Sequence, residues 1–258
     1  MIRMSLLAVL VSLTLTTAAG AQPHFSPTWL SPAQVVALRA EQAAVRNSVP
    51  MDPKEFDKFL GVYRLMPSTL IWVTRDGPHF MVLTTGHPVY EYFPESPTKF
   101  FSNEQRQQLS FESDANGHVI GLVMDQVGME RWCPRLSKRA GKAVEATLKA
   151  RIKAGAPSPG TEAALRHQID AVEKGAFDTD AMTPDMGSLV GSQAPATSER
   201  FAQLGALKSL KFKYVTLNGY DLYDAVFERG HLSFMLSPLV DGKIQGFRYL
   251  NASDPVPE

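Results

Sequence analysis

The chain has 258 residues, of which 44% are hydrophobic and 20% charged, so its composition is that of a globular protein with one large or two small domains. Because 26 basic residues balance 26 acidic ones, the overall charge gives no reason to expect nucleic acid or an anionic surface as the main partner. The single cysteine, Cys133, excludes a disulfide within the chain, and without a histidine close in sequence it is interpreted as a buried strand residue.

Residues 1–21 have the three parts of a secretory signal peptide. Arg3 precedes the apolar run Leu6–Leu15, and Ala19-Gly20-Ala21 forms a small-residue cleavage site. The apolar run is shorter than the roughly 20 residues that a membrane span needs. We therefore expect export to the periplasm or the medium, cleavage near Ala21, and no transmembrane segment in the mature chain.

Residues 22–55 are predicted to form an N-terminal helical segment. Ser31-Pro32-Ala33-Gln34 and Asp52-Pro53-Lys54-Glu55 each combine an N-cap oxygen, a proline at the first helical position and an amide or carboxylate two residues later. The first motif predicts a helix over 32–45. The second predicts a short helix that delivers Phe56 and Phe59 towards the first strand.

Residues 56–136 form an all-β region in which turn residues separate eight short apolar runs. The predicted strands are Gly61–Leu65, Thr69–Thr74, Phe80–Thr85, Val89–Phe93, Lys99–Phe101, Gln108–Ser113, His118–Gln126 and Glu130–Leu136. Three of them, those containing Leu70, Phe80 and Val119, are apolar on both faces, so their outer faces should be covered as well. The cover could be the helix over 32–45, the later module or a partner.

Several stretches of this region carry a family resemblance, namely Gly61-Val62-Tyr63, Thr85-Gly86-His87-Pro88, residues 93–101 and residues 117–123. They resemble the lipocalin-like β domain that is appended to serine β-lactamase-like peptidases. The resemblance implies an eight-stranded antiparallel barrel or half-barrel and brings no catalytic residues with it.

Residues 137–160 are predicted to be a basic linker helix followed by a Pro/Gly linker. The helix carries six lysines and arginines against Glu145 alone, and Gly155 and Pro157 end it. A membrane-surface or anionic-polymer role is one interpretation. A solvated helix docked by a thin alanine-rich stripe is favoured, because the apolar face lacks aromatic residues.

Residues 161–251 are predicted to be an α+β domain, followed by a tail over 252–258. Thr161 is expected to cap its first helix, and a helix around Thr197–Leu204 precedes the strands. The strands are Lys208–Leu217, Tyr220–Glu228, His231–Leu239 and Ile244–Leu250, joined by Gly-containing hairpin turns.

This second region resembles small exported bacterial domains of the nuclear transport factor two-like (SnoaL-like) superfamily, through stretches such as residues 161–166, 204–210 and 219–223. The resemblance implies a curved antiparallel sheet wrapped by helices into a cone with an apolar pocket. Because that fold hosts both enzymes and binding modules, it does not fix a function.

Known catalytic patterns are poorly represented in the sequence. Ser96-Pro97-Thr98-Lys99 matches S-x-x-K, but it lies in a Pro-flanked turn and has no K-T-G partner, so it is interpreted as a chance match. The six histidines form no metal motif, although His79 and His87 could approach each other across a hairpin. Without a P-loop or G-x-G-x-x-G motif, neither a metal nor a cofactor is predicted.

Aromatic residues supply the candidate ligand-binding positions. In the barrel these are Trp72, Tyr90, Tyr92, Phe101 and Trp132, and in the second module Tyr223 and Phe234. The competing interpretation, that they fill the two cores, is favoured. Alternation also places Asp221 and Tyr223 on one face of their strand and Asp224 on the other.

The function expected from the sequence is that of an exported, non-enzymatic binding or accessory protein, which holds a small apolar ligand or docks on an envelope protein. One alternative is a hydrolase or isomerase that uses the pocket of the second domain. The other is a structural module for protein interaction.

Overall fold

A computed structural model describes residues 46–126 and 129–251, with only the backbone described at 129, 192–200 and 251. Their secondary structure forms a closed eight-stranded barrel and a four-stranded antiparallel sheet with helices. The predicted signal peptide 1–21, the predicted helix over 32–45 and the tail 252–258 lie outside the described residues. The division of the chain into domains stays a prediction.

The barrel is an antiparallel meander in which each strand pairs with the next. Its strands are β1 (Gly61–Met66), β2 (Thr69–Asp76), β3 (His79–Thr84), β4 (Val89–Ser96), β5 (Lys99–Ser102), β6 (Gln107–Ser113), β7 (Val119–Gln126) and β8 (Met129–Leu136). Pairing of Val62 with Leu136 and of Tyr63 with Arg135 joins β1 to β8 and closes the barrel. The prediction of an eight-stranded antiparallel barrel is confirmed, and of the two forms predicted the closed one is found.

A 3₁₀ helix, Pro53–Lys58, closes one end of the barrel. Asp52 caps it by accepting a hydrogen bond from the Lys54 N–H at 2.9 Å. Phe56 within this helix and Phe59 directly after it enter the barrel core, where both are almost completely buried. The second of the two predicted helix starts is therefore confirmed as a short 3₁₀ helix.

Helix α1 (Lys138–Ala154) follows the barrel and packs against its outer surface. Ser137 caps the helix through the Ala140 N–H at 3.2 Å, and Gly155 ends it with φ 57°. Gly141 faces the outer side of the barrel, where a Cβ would lie 2.9 Å from Val62 and 3.3 Å from Trp72. Helix α1 therefore covers part of the outer apolar surface, a cover that the sequence interpretation did not assign to it.

The second sheet has the order β12-β11-β10-β9, formed by β9 (Leu207–Val215), β10 (Asp221–Phe227), β11 (Gly230–Leu236) and β12 (Phe247–Asn251). Before it come α2 (Thr161–Glu173), a 3₁₀ turn (Thr179–Ala181) and α3 (Pro184–Leu204), which pack on one face of the sheet around a common apolar core. The predicted antiparallel meander of four strands is confirmed. The helix expected around Thr197–Leu204 is the last part of the longer α3.

Within the part of the chain that the structure describes, no helix is long and apolar enough to cross a membrane.

Candidate functional site

The barrel interior is filled by its own aromatic side chains. Phe80 and Phe100 stack with their ring centroids 4.0 Å apart, and Phe59 packs on Phe111 with centroids 4.5 Å apart. Tyr63 lies beside them and donates its hydroxyl hydrogen to the Phe59 carbonyl at 2.6 Å. A side chain that lined an open ligand cavity would have surface that a water molecule could touch. The exposed fraction is only 0–1% for four of these side chains, so the interior is a packed core: Tyr63, Phe59, Phe80 and Phe100.

The two tyrosines among the candidate barrel residues lie on the inner side of β4. Tyr92 is 3% exposed and donates to the Gln107 side-chain oxygen at 2.7 Å, and burial raises its pKa. Tyr90 is half-buried and packs at the edge of the same core. Both rings therefore contribute to the packing of the interior.

The other three candidate barrel residues point away from the interior. Trp72 contacts Gly141 of α1, and its indole N–H is buried without a hydrogen-bond partner among the described residues. Phe101 is 2% exposed, and its ring lies 6.0 Å from that of Phe93 on the outer surface. Trp132 packs against Gly121, where no Cβ would fit. The five predicted residues thus do not share one wall, and their role in binding stays a prediction.

The candidate residues of the second module, Tyr223 and Phe234, are both 0% exposed in the core between the sheet and its helices. Neighbouring aromatic side chains surround them, including Phe212 at 5.6 Å from Tyr223 and Phe201 at 6.0 Å from Phe234 between ring centroids. Burial raises the pKa of Tyr223 to about 12. Neither side chain reaches the surface.

Asp221, at the start of β10, is the most heavily hydrogen-bonded buried carboxylate of the described residues. It is 0% exposed, and one oxygen accepts from the Arg151 guanidinium at 2.7 Å. The other oxygen accepts from the Ser158 N–H and lies 2.8 Å from the Thr161 hydroxyl. Because a hydroxyl donates only one hydrogen, Thr161 donates towards Asp221 or the Ser158 carbonyl and accepts from the Tyr223 hydroxyl at 2.8 Å.

Arg151 connects this carboxylate to the barrel. From the last turn of α1 its guanidinium reaches the Ser68 hydroxyl at 3.1 Å, in the β1–β2 turn, and the Gly219 carbonyl at 3.4 Å, in the β9–β10 turn. We call Ser68, Arg151, Thr161, Gly219 and Asp221 the junction. It holds one turn of the barrel, one turn of the sheet and two helices in contact.

A second set of contacts supports the junction. The Thr69 hydroxyl donates to the Asn218 carbonyl at 2.8 Å. A Cβ at Gly86, in the β3–β4 turn, would lie 2.9 Å from the Asn218 nitrogen. Two turns of the barrel therefore pack on the β9–β10 turn at the end opposite the 3₁₀ helix.

The structure corrects two sequence interpretations at the junction. Thr161 is not the N-cap of α2, because Gly160 occupies that position with φ 81° and the Thr161 hydroxyl turns inward to the carboxylate. Arg151 is not one of the solvated basic residues of α1. Its position three residues after Leu148 and seven after Val144 places it on the packed side of the helix, a signal present in the sequence.

The expectation for Asp221 and its neighbours on β10 is confirmed. Asp221 and Tyr223 both reach Thr161 on the helix side of the sheet. Asp224 lies on the opposite side, where it pairs with Lys213 at 2.9 Å and accepts from the Ser233 hydroxyl at 3.0 Å. Both oxygens of the junction carboxylate are held by structural partners and Asp221 is 0% exposed, so a substrate has no access to this group.

The remaining reactive side chains are also in structural positions. Cys133 is 0% exposed, and burial raises the pKa of its thiol to about 12, which disfavours the thiolate. Ser96 and Lys99 face each other across the β4–β5 hairpin, so the S-x-x-K match does not open a helix. His79 and His87 lie at opposite ends of β3, and His79 pairs instead with Glu91 at 2.6 Å.

No group of three or more His, Cys, Asp or Glu side chains with the arrangement of a metal site occurs among the described residues. Comparisons of the chain with protein-family models, with curated proteins and with solved structures find no match.

Proposed function

We propose that this chain is an exported, non-enzymatic accessory protein whose lipocalin-like barrel is a filled scaffold. In this role the barrel and the second, nuclear transport factor two-like unit together present their outer surfaces to a partner of the cell envelope. The observation that carries the proposal is the stacking of Phe80 on Phe100 at 4.0 Å in the centre of the barrel, where these two rings are 1% and 0% exposed.

The size of the barrel explains why this observation matters. Eight strands enclose space either for side chains or for one small ligand. Rings such as Phe100 and Phe111 use that space, and the 3₁₀ helix adds Phe56 and Phe59 from one end. Packing of this kind favours an accessory role over the carriage of an apolar ligand.

Two further observations support the proposal. The sequence of residues 1–21 has the composition of a signal peptide, which agrees with a role outside the cytoplasm. The junction carboxylate and the Cys133 thiol, which are chemically the most promising groups for catalysis, are buried and held by structural contacts. The hydrolase or isomerase alternative gains no support from Tyr223 and Phe234, because both are 0% exposed.

The experiment is a pair of matched truncations, Phe100→Ala and Phe93→Ala. Phe100 is completely buried, whereas Phe93 is 37% exposed on the outer side of β4. Truncating a buried phenylalanine typically costs about 3–5 kcal/mol and leaves an apolar cavity that binds small aromatic molecules. We expect benzene or indole to raise the melting temperature of Phe100→Ala and to leave the wild type and Phe93→Ala unchanged.

The wild-type titration decides the question even if Phe100→Ala does not fold. Saturable binding of benzene, indole or a fatty acid to the wild type, with a rise in melting temperature, would contradict the filled scaffold and favour a ligand carrier. A flat wild-type titration supports the proposal. Phe100→Leu then creates a smaller cavity, in which the expected stabilisation by benzene or indole can still be measured.

A further inference from the structure

The outward side of α1 carries a straight row of cations. Lys138, Lys142, Lys149 and Lys153 fall within about 60° of one another around the helix axis, and Arg139 lies about 40° beyond them. All five side chains are exposed. From Lys138 to Lys153 the row is about 22 Å long at 1.5 Å per residue. We call these five residues the basic row.

No ion pair within the described residues involves a cation of this row, although Arg151 on the packed side of the same helix is paired with Asp221. The only acidic side chain of α1 is Glu145, which is half-buried. It lies about 20° from Lys138 at the edge of the row, one turn from both Lys142 and Lys149, so it offsets one of the five charges.

The strands that pack against α1 also lack compensating acids. These are β1, β8 and β9, whose residues include six lysines and arginines but only one acid, Glu130. Lys208 and Lys213 of β9 are paired with Glu228 and Asp224 of the neighbouring strand. A chain with a formal net charge of +0 thus concentrates five unpaired cations along one exposed line.

We propose that the basic row binds a linear anionic polysaccharide, whose carboxylate or sulfate groups lie along α1. A line of charge on an exposed helix matches a linear polymer. The row fits a bilayer surface less well, because a helix that binds a membrane inserts an apolar face into it. The apolar side of α1, with Gly141 and Leu148, packs against the rest of the protein instead. Single-stranded nucleic acid is also matched less well, since the row has no aromatic side chain on which a base could stack.

This inference deepens the accessory function proposed above and rests on it for the extracellular setting of the partner. It adds the class of partner and the surface that contacts it. Its test measures polysaccharide binding after substitutions in α1, so a negative result does not contradict the proposal of a filled barrel. A ligand found in the barrel would likewise not contradict binding by the basic row.

The test compares two variants that each remove five positive charges from the full mature chain. One replaces the basic row by glutamine, as K138Q/R139Q/K142Q/K149Q/K153Q. The control replaces exposed lysines elsewhere, as K54Q/K99Q/K174Q/K211Q/K243Q. Circular dichroism and thermal melting establish that both variants fold. Binding of heparin and of polygalacturonate, as sulfated and carboxylated probes, is then measured by isothermal titration calorimetry at 50 mM NaCl.

We expect the row variant to lose at least 10-fold in affinity for one or both polysaccharides, and the control to lose less than 3-fold. Release of counterions from about five contacts predicts that wild-type affinity falls about 100- to 500-fold between 50 and 200 mM salt. Equal losses in both variants, or no polysaccharide binding by the wild type at 50 mM NaCl, would overturn the proposal. So would tighter binding to anionic phosphatidylglycerol vesicles or to a single-stranded oligonucleotide.

Discussion

Replacing Asp221 by asparagine removes the only negative charge in the junction while preserving the shape of the side chain. One carboxylate oxygen accepts from Arg151 at 2.7 Å, and the other accepts from the Ser158 N–H at 2.8 Å and lies 2.8 Å from the Thr161 hydroxyl. An amide has one oxygen, so in either orientation its NH₂ group faces a donor, the guanidinium or the backbone N–H. The substitution therefore places two hydrogen-bond donors against each other without an acceptor between them, at a position that is 0% exposed.

The magnitude follows from the burial of the pair. Arg151 is 17% exposed and Asp221 is 0% exposed, and removing one partner of a buried ion pair costs about 3–5 kcal/mol. Asp224→Asn is the matched control on the same strand, because the side chains of Asp224 and Lys213 are 37% and 49% exposed. An exposed pair of this kind contributes about 0.2–1 kcal/mol.

Urea denaturation read by two signals gives the assay. Two of the three tryptophans, Trp72 and Trp132, belong to the barrel, and the third, Trp29, lies outside the described residues. Residues 161–251 contain no tryptophan, whereas α2 and α3 contribute to the circular dichroism at 222 nm. With a urea dependence of about 2 kcal/mol per molar, a loss of about 4 kcal/mol lowers the midpoint by about 2 M. We expect this shift in the circular dichroism of Asp221→Asn, a smaller shift in its tryptophan emission, and neither shift in Asp224→Asn.

A double-mutant cycle with Arg151→Gln separates the ion pair from general damage. If the two groups act together, adding Arg151→Gln to Asp221→Asn costs much less than it does in the wild type. An Asp221→Asn midpoint within about 0.5 M of the wild type, or additive costs in the cycle, would refute the interpretation of the junction.

Gly219→Ala should destabilise the protein more than Gly117→Ala in thermal melts, because both glycines have positive φ, +90° and +81°, but only the new Cβ at 219 overlaps Ser68. The excess should be about 1–3 kcal/mol, and equal losses would contradict the close approach of the two turns. Stability should also fall at alkaline pH, because burial raises the pKa of Tyr63 and of Cys133 to about 12 from 10.0 and 9.0, so above these lower values the unfolded chain binds fewer protons. The free energy of unfolding, measured by urea denaturation between pH 9 and 11, should fall by up to about 1.4 kcal/mol per pH unit per group, with a smaller slope for Tyr63→Phe. A flat profile would show that these groups titrate normally.

Much of the barrel is predictable from its turns. The segments Asp76-Gly77-Pro78 and Asp114-Ala115-Asn116-Gly117 separate apolar runs of strand length, and Gly77 and Gly117 have the positive φ values that such turns require. Closure was not decided by the sequence, because it depends on pairing between Tyr63 and Arg135, which are far apart in the chain. Local periodicity contains no information about that contact.

The directions of the candidate side chains were harder to predict. Trp72 lies in a strand that is apolar on both faces, so alternation gave no preference, and its outward direction depends on the space that Gly141 leaves in α1. Asp221 and Tyr223 were correctly placed on one face, but the partner of Asp221 comes from a helix 70 residues earlier. The sequence interpretation treats the basic residues of α1 as one solvated set, although helical spacing separates Arg151 from the basic row.

A barrel that is filled by its own side chains should carry no apolar ligand. Native mass spectrometry of the protein purified from its own host, under conditions that preserve non-covalent complexes, tests it most directly. We expect the mass of the polypeptide alone, with nothing bound. A stoichiometric apolar adduct, lost on unfolding, would contradict the filled scaffold.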